Sequence, residues 1–341
     1  LNQSEFDRFR RWNDALRAEA FASGDQRFLT VAELNALQAR YDQGDATAAA
    51  EIAALTARAR DWFARSHGLR LTAIHLLDED KIGPALSVLT EAEALIPEGR
   101  PLSGTALAGV WEVRGLALRD LQDVVGSADA FWRSEFQYAD PAYPRPDFDN
   151  LYNLASVSLR LGETDLAERL YAAHHRLASR ADLQGLDVWD MDLCAAVAET
   201  RQQWERVLRC LEPLPADSRA FAHRAAHLLP MRALAYAKLG RVDAARADWA
   251  LLERLVAQDV VAAEALRRKP RLEAEMLFAE GRTAEAYAAL DRYYRESAVR
   301  TARANTEGAL QFTADLERQL AERREQLRVA DDNARLKHNI I

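Results

Sequence analysis

Pairs of small apolar residues recur along this chain, each pair about a dozen residues apart with a glycine or polar turn between its members. In the clearest copy Ala155 precedes the turn at Gly162, and Ala167 and Tyr171 follow it. Seven such turns centre on Gly44, Asp80, Gln122, Gly162, Gln202, Gly240 and Gly281. Their spacing, about 40 residues from each turn to the next, is typical of helical solenoids. The pattern predicts an all-α, right-handed solenoid of about seven helical hairpins, which presents a surface for recognition.

Three regions follow from the same pattern. Residues 1–30 are predicted to form an N-terminal capping helix, begun near Ser4 and ended by Gly24. Residues 31–294 form the predicted solenoid, and residues 295–341 a C-terminal helix. The prolines fall where we expect helices to begin or to be joined, as an all-α chain requires. The sixth hairpin, for example, is predicted over 229–256 and begins beside Pro230.

No proline follows Pro270, so the helix that begins near Thr283 has no predicted end before Ile341. Leu320 and Leu327 stand one heptad apart, and Leu316 occupies the second seam position of an imperfect heptad pattern. This helix is therefore predicted to mediate weak dimerisation or to transmit a signal, and a homodimer through it is the expected assembly.

Small residues at a helix crossing, followed by a large residue in the next layer, form the pattern of the tetratricopeptide repeat. The matching residues are Leu154, Ala155, Gly162, Ala167 and Tyr171; Ala73, Leu76, Ala85, Leu89, Ala92 and Pro97; and Ala233, Tyr236, Gly240, Ala245 and Trp249. Residues 31–294 thus resemble a tetratricopeptide protein. Because the period exceeds that of the usual repeat, about 34 residues, they resemble the longer-helix variety found in bacterial signalling proteins.

The layout also resembles bacterial diguanylate cyclases with an N-terminal tetratricopeptide sensor, in which a charged helix leads through a membrane span to a GGDEF domain. The stretches 316–320 and 334–336 look like such a juxtamembrane helix, and sensor histidine kinases share this layout. The resemblance implies a non-catalytic sensor module whose output domain is absent here, since the GGDEF motif is missing. A free-standing tetratricopeptide scaffold for protein assembly is the alternative.

The amino-acid composition limits the classes of partner that this chain is expected to bind. The net charge is −8, which argues against a nucleic-acid surface, since such surfaces need clustered Lys and Arg. No run approaches ~20 apolar residues, so membrane attachment would need a segment outside this chain. The chain starts at Leu1 without a signal-peptide pattern. We expect a periplasmic location, with the cytoplasm as the alternative.

The two cysteines, Cys194 and Cys210, allow two interpretations. Both can be buried free thiols, since cysteine is often buried. In the repeat register they also lie on facing helices of one hairpin, where a disulfide would suit an oxidising compartment. No CxxC is present, so a zinc or thioredoxin-type site is not expected.

Candidate chemistry is sparse. His223 and His227 have the i,i+4 spacing of a metal pair but lack a zincin glutamate, and we interpret them as polar positions flanking a loop. His174 and His175 point about 100° apart on a helix, so we do not expect both to face one ligand. The tryptophans, interpreted as core residues, are Trp111, Trp132, Trp189, Trp204 and Trp249. We therefore predict no enzyme activity, no metal and no cofactor.

The concave groove of the solenoid is the better candidate for function. By repeat register the first helices place in it Arg70, Glu112, Arg119, Tyr152, Ser156, Arg160, Asp192, Glu199, Lys238 and Arg271. A polar, solvated helix face is one interpretation of this set. The functional interpretation is a mixed-charge groove that binds a peptide, a protein or a small molecule.

Overall fold

The computed structural model describes residues 6–138, 148–179, 187–212, 214, 219–258, 260–261 and 263–300, with isolated positions at 302, 306, 324 and 328. Within these residues the chain is all-helical and has no strands. None of the helices described is long and apolar enough to cross a membrane. The predicted fold class is therefore confirmed at the level of an all-α, solenoid-like array.

The helices follow one another with short connections. They are α1 Phe6–Ser23, α2 Gln26–Tyr41, α3 Thr47–Arg58, α4 Trp62–Asp78, α5 Ile82–Leu95, α6 Ser103–Asp120, α7 Val124–Tyr138, α8 Phe148–Arg160, α9 Thr164–Ala178, α10 Asp187–Thr200, α11 Trp204–Leu211, α12 Arg219–Lys238, α13 Val242–Ala257 and α14 Lys269–Ala279. A 3₁₀ helix, Ala263–Arg268, precedes α14, and residues 283–300 form α15.

All seven predicted turn centres adopt the left-handed backbone conformation, with φ between 57° and 96°. At Gly162 the N–H donates to the Leu159 carbonyl, and the next N–H, of Glu163, donates to the Ser158 carbonyl. The same pair of bonds, three and five positions back, recurs at every one of the seven turns. This is the Schellman cap, which satisfies the last carbonyls of a helix and reverses the chain. The repeat in the sequence is thus a repeat of helix ends.

Each turn joins two helices that pack on each other, and the hairpins stack in chain order. The hairpins are α2/α3, α4/α5, α6/α7, α8/α9, α10/α11, α12/α13 and α14/α15. The first helices of neighbouring hairpins also touch in the pairs α2·α4, α4·α6, α8·α10, α10·α12 and α12·α14. We call the surface formed by α4, α6, α8, α10, α12 and α14 the first-helix row.

Small residues let the helices of one hairpin approach closely. A Cβ on Gly115 of α6 would lie 2.6 Å from the ring of Phe131 in α7, a distance that real Cβ atoms do not show. Ser127 of α7 donates to the Gly115 carbonyl at 2.8 Å, so the same crossing is also hydrogen-bonded. Ala155 and Ala167 are both fully buried at the corresponding crossing of α8 and α9.

Two helix boundaries differ from the prediction. The second helix begins at Gln26, inside the predicted capping segment 1–30, because Asp25 caps its first turn through the N–H of Arg27. Pro230 lies inside α12 and not at a helix start. The helix begins at Arg219 because Phe221, Ala225 and Leu228 form a fully or nearly fully buried stripe that continues upstream of the proline.

Cys194 of α10 and Cys210 of α11 form a disulfide, with their Cα atoms 5.8 Å apart. Of the two interpretations of these cysteines, the structure has the bridged one. The bond joins the two helices of the fifth hairpin.

Most of the predicted C-terminal helix, 295–341, lies outside the described residues. Helical structure continues from 283 to 300, as expected for the second helix of the last hairpin. The predicted seam residues Leu316, Leu320 and Leu327 lie outside the described residues.

Alanine substitution at the turns tests the left-handed caps. We expect Gly240→Ala to lower the free energy of unfolding by about 1 kcal/mol, because a left-handed conformation is unfavourable for a residue with a Cβ. No atom lies within 4 Å of the added Cβ, so the backbone conformation alone causes the loss. Conversely, Gln202→Gly should raise the free energy of unfolding by several tenths of a kcal/mol. Urea unfolding followed by circular dichroism measures both changes.

Gly104→Ala is the control, since the Cβ added there meets other atoms only at 3.5 Å and the residue lies in a right-handed helix. Equal losses at Gly240 and Gly104 would contradict the cap assignment.

Reduction tests the disulfide. The two cysteines are separated by 16 residues, so removing the bond should cost about 3 kcal/mol on chain-entropy grounds. We expect the Cys194→Ser, Cys210→Ser double variant to unfold at a lower urea concentration than the oxidised protein and at the same concentration as the reduced protein. Titration of two free thiols in the non-reduced, unfolded protein would contradict the bond.

Candidate ligand-binding surface

Three consecutive first helices, α8, α10 and α12, bring one hydrogen-bonded cluster together. The hydroxyl of Tyr152 donates to Oδ2 of Asp192 at 2.5 Å. Nη2 of Arg224 donates both to the same carboxylate oxygen and to the tyrosine oxygen. The Asp192 side chain is 3% exposed and that of Arg224 is 13% exposed. The cluster is therefore an ion pair largely removed from water, and its three members come from three different hairpins.

Aromatic rings support Arg224 from one side. Trp189 lies one turn before Asp192 on α10, and its ring meets that of Tyr152 edge-on at 5.1 Å between centroids. The guanidinium carbon of Arg224 stands 4.2 Å from the centroid of the Trp189 ring. A cation over an indole face is stabilised by the ring quadrupole. The guanidinium is thus held in one position by a carboxylate, a phenol and an indole.

His174 and His175 share one carboxylate. Nδ1 of His174 lies 3.1 Å from Oδ1 of Asp190, and Nδ1 of His175 lies 2.6 Å from Oδ2. The expectation that the two rings cannot face one group is wrong, because the two oxygens of Asp190 reach the two neighbouring rings separately. His174 is fully buried, whereas the His175 side chain is 54% exposed.

Further cations gather beside this cluster. Nη2 of Arg160, at the end of α8, donates to Oε1 of Gln122 at 2.8 Å, just beyond Arg119 at the end of α6. Desolvation, and after it the charge of Arg119, lowers the pKa of Arg160. Desolvation likewise lowers the pKa of His227 to about 4, aided by Arg224, Arg268 and Arg119 in that order. Desolvation is the larger cause of both pKa shifts and the neighbouring cations add to it, so His227 is neutral near pH 7.

Further along the row, the predicted groove residues form pairs. Nη1 of Arg271 lies 3.5 Å from Oε1 of Glu199, linking α14 to α10. Nζ of Lys238 lies 2.7 Å from Oε1 of Glu275, linking α12 to α14. These ion pairs lie in the C-terminal part of the row, where opposite charges neutralise each other.

The remaining predicted residues lie outside the central cluster and these two pairs. Ser156 on α8 and Glu112 on α6 are half-buried. Arg119 is 40% exposed and contacts Asp120 at 3.2 Å. Arg70 lies apart from the Arg224 cluster, in a cavity near the N-terminal end of the row. The predicted set is therefore not one site but a central cluster, a paired C-terminal part and a separate N-terminal cavity.

Arg224, the central cation of the cluster, is absent from the residues predicted from the sequence. The segment around it reads as a loop when Pro230 is taken as the start of the helix. The apolar spacing of Phe221, Ala225 and Leu228 is the signal that could have placed Arg224 on a helix. His227 also lies on α12, and the side chain of His223 lies outside the described set.

The interpretation of the tryptophans as core residues is correct for Trp249, which is 6% exposed. It is wrong for Trp132, which is 45% exposed, and for Trp189, which is half-buried beneath Arg224. Trp111 is held between the guanidinium groups of Arg114 and Arg133, whose central carbons lie 4.4 and 4.6 Å from its ring. Trp204, also half-buried, faces a lysine ammonium. Trp111, Trp189 and Trp204 pair with cations because the face of an indole ring attracts positive charge.

In the part of the chain that the structure describes, no group of three or more His, Cys, Asp or Glu side chains is arranged to hold a metal ion. The chain matches no known family model, and no curated protein matches it. The crystal structure of BtubC (BKLC) from P. vanneervenii aligns with 87% of this chain and 93% of its own, at 13% identity and a TM-score of 0.39. A structural similarity this weak does not indicate a function.

The Tyr152–Asp192–Arg224 cluster can be tested by a double-mutant cycle. We expect Asp192→Ala to lower the free energy of unfolding by about 3 kcal/mol, because it leaves a buried cation without its carboxylate. Tyr152→Phe should cost about 1 kcal/mol, the value of one hydrogen bond. The pair of changes Asp192→Ala and Arg224→Met should cost clearly less than the sum of the single changes, as measured by urea unfolding. Additive losses would mean that Asp192 and Arg224 do not interact.

Proposed function

We propose that this chain is a non-catalytic binding module that holds an acidic segment of a partner protein along its first-helix row. The observation that carries the proposal is the convergence of Arg119, Arg160, Arg224 and Arg268 in one region of a chain whose net charge is −8. In an acidic protein such a concentration of cations is a local feature, and it favours an anionic ligand.

The arginines of the first-helix row differ in how far a carboxylate of the protein already engages them. Arg224 is fixed by Asp192 and stacks on Trp189, so it supports the surface without offering most of its charge. Arg160 hydrogen-bonds a neutral glutamine and forms no ion pair with any described residue. Arg119 pairs only with the exposed Asp120 among the described residues. Because an exposed ion pair is weak, Arg119 and Arg160 are the residues best placed to receive carboxylates.

We further propose that the hairpins form a right-handed tetratricopeptide solenoid whose concave side is the first-helix row. The regular Schellman turns and the contacts between successive first helices support this assignment. In such a stack the ligand lies across several hairpins and contacts their combined surface.

The module is proposed to be the input part of a bacterial signalling protein, with residues 295–341 coupling it to an output domain such as a diguanylate cyclase. The charged stretch of α15 within 283–300 supports a helix that continues beyond the last hairpin. The Cys194–Cys210 disulfide supports a periplasmic location, because disulfides persist in oxidising compartments.

Charge reversal tests the binding proposal. The full chain is applied to an array of random decapeptides, and the retained peptides should be enriched in Asp and Glu. The Arg119→Glu, Arg160→Glu double variant should lose this acidic set, and wild-type retention should weaken as salt rises, because exposed charges are screened.

Arg169→Glu is the matched control, since Arg169 is exposed on α9, a second helix outside the row. It carries the charge change of one of the two substitutions in the double variant and should retain the acidic peptides. Equal loss in the control, or no acidic enrichment with the wild type, would contradict the proposed surface.

The sensor and scaffold alternatives differ in the sequence that the gene encodes downstream of residue 341. An apolar span of ~20 residues and an output domain, encoded just downstream, would support the sensor. A stop codon directly after Ile341 would leave the scaffold.

A further inference from the structure

A cavity of about 220 Å³ lies at the N-terminal end of the row, between α1, α2, α4 and α6. Its apolar wall is formed by Leu16, Phe28, Val31 and Phe63. The two phenyl rings meet edge-on at 5.8 Å between centroids, which gives the cavity one aromatic side. An apolar cavity of about 150 Å³ is large enough to take up benzene. This cavity therefore has room for a six-membered ring or a branched aliphatic chain, together with one small polar group.

Arg70 is the cation of this cavity. The Arg70 side chain lines the cavity beside these apolar residues. Within the part of the chain that the structure describes, no carboxylate forms an ion pair with Arg70 and no acceptor receives a hydrogen bond from it. Its side chain crosses Gly109 of α6, where an added Cβ would lie 2.8 Å from Cδ of Arg70. The glycine thus leaves the space in which the arginine side chain lies. A half-buried guanidinium suits a carboxylate, because its N–H groups match the two carboxylate oxygens.

The neighbouring imidazole does not add a second charge. Asn13 donates to the Ala32 carbonyl at 2.8 Å, Asn35 donates to Oδ1 of Asn13 at 3.2 Å, and Oδ1 of Asn35 faces Nε2 of His67 at 2.9 Å. This chain of amides places the proton of His67 on Nε2. Burial, and then the charge of Arg70, lowers the pKa of His67 to about 3, so the ring is neutral. The cavity accordingly offers one positive charge, which suits a monoanion better than a dianionic phosphate.

We propose that this cavity binds a small monocarboxylic acid with an aromatic or branched apolar body, whose carboxylate is held by Arg70 and whose body packs against the wall formed by Phe28 and Phe63. This goes beyond the peptide-binding function and does not depend on it, because the cavity and the Arg119–Arg160 surface share no residue. The ligand would join α1 and α2 to α4 and α6, and so would tie the N-terminal helices to the stack.

Calorimetric titration of the full chain with phenylacetate tests the proposal. We expect saturable binding of one molecule per chain. Phenylacetamide, which has the same shape without the charge, should bind at least about tenfold more weakly, as a lost charge-assisted hydrogen bond implies. Acetate, which has the charge without the ring, should show no saturation at millimolar concentrations.

Arg70→Met keeps the length of the side chain and should weaken phenylacetate binding at least about tenfold, while Arg65→Met on the same helix should leave it unchanged. Ala106→Phe should block the cavity with Arg70 still present, and circular dichroism should show that each variant is folded. Equal affinity for phenylacetate and phenylacetamide, unchanged binding by Arg70→Met, or no saturation with phenylacetate, 4-methylvalerate or benzoate would overturn the proposal. The Arg119→Glu, Arg160→Glu variant should bind phenylacetate normally, so failure of the peptide test and failure of this test are separate results.

Discussion

The left-handed residue at the end of each hairpin's first helix is the constraint on which the rest of the structure depends. It ends the helix, satisfies two of its last carbonyls and reverses the chain within a short turn. Because the seven turns are nearly evenly spaced, each first helix follows the previous one at nearly constant separation along the chain. Residues distant in sequence therefore become neighbours in the row. Tyr152 and Asp192, 40 residues apart, hydrogen-bond because one repeat separates them.

Three of the seven caps use Asp80, Gln122 and Gln202 in place of glycine. A residue with a side chain costs free energy in the left-handed region. The packing of the stacked hairpins therefore has to compensate for that cost at these turns. Gln122 also stabilises the contact between two hairpins, because its side chain accepts a hydrogen bond from Arg160 of the next hairpin. Asp80 and Gln202 show no comparable contact across hairpins in the described residues. The turns are thus partly set by local backbone preference and partly by the packing of the stack.

All seven turn centres could be predicted from the sequence, because a helix end is a local feature that one or two residues determine. Tyr152 and Asp192 could be predicted as neighbours on one face, since the register follows from the turns. The apolar spacing of Phe221 and Ala225 could place Arg224 on a helix, but its contacts with α8 and α10 depend on how that helix packs against other hairpins. Pro230 misleads for the same reason: a proline inside a helix is tolerated where tertiary packing compensates for the missing N–H. The pairing of Trp189 with Arg224 is likewise a contact between hairpins, which no local pattern indicates.

The central cluster also determines which charges are available for binding. Tyr152, Asp192 and Arg224 belong to three successive hairpins, so their hydrogen bonds restrain the tilt of each hairpin against the next. A ligand carboxylate that competed for Arg224 would have to displace the buried Asp192, leaving that carboxylate without its cation. An anion that approached Arg119 or Arg160 would meet no such cost, since neither has a buried carboxylate partner among the described residues. The arginines of this row therefore differ in role: the buried Arg224 holds three hairpins in one arrangement, and the exposed Arg119 and Arg160 are those that we propose to bind an acidic partner.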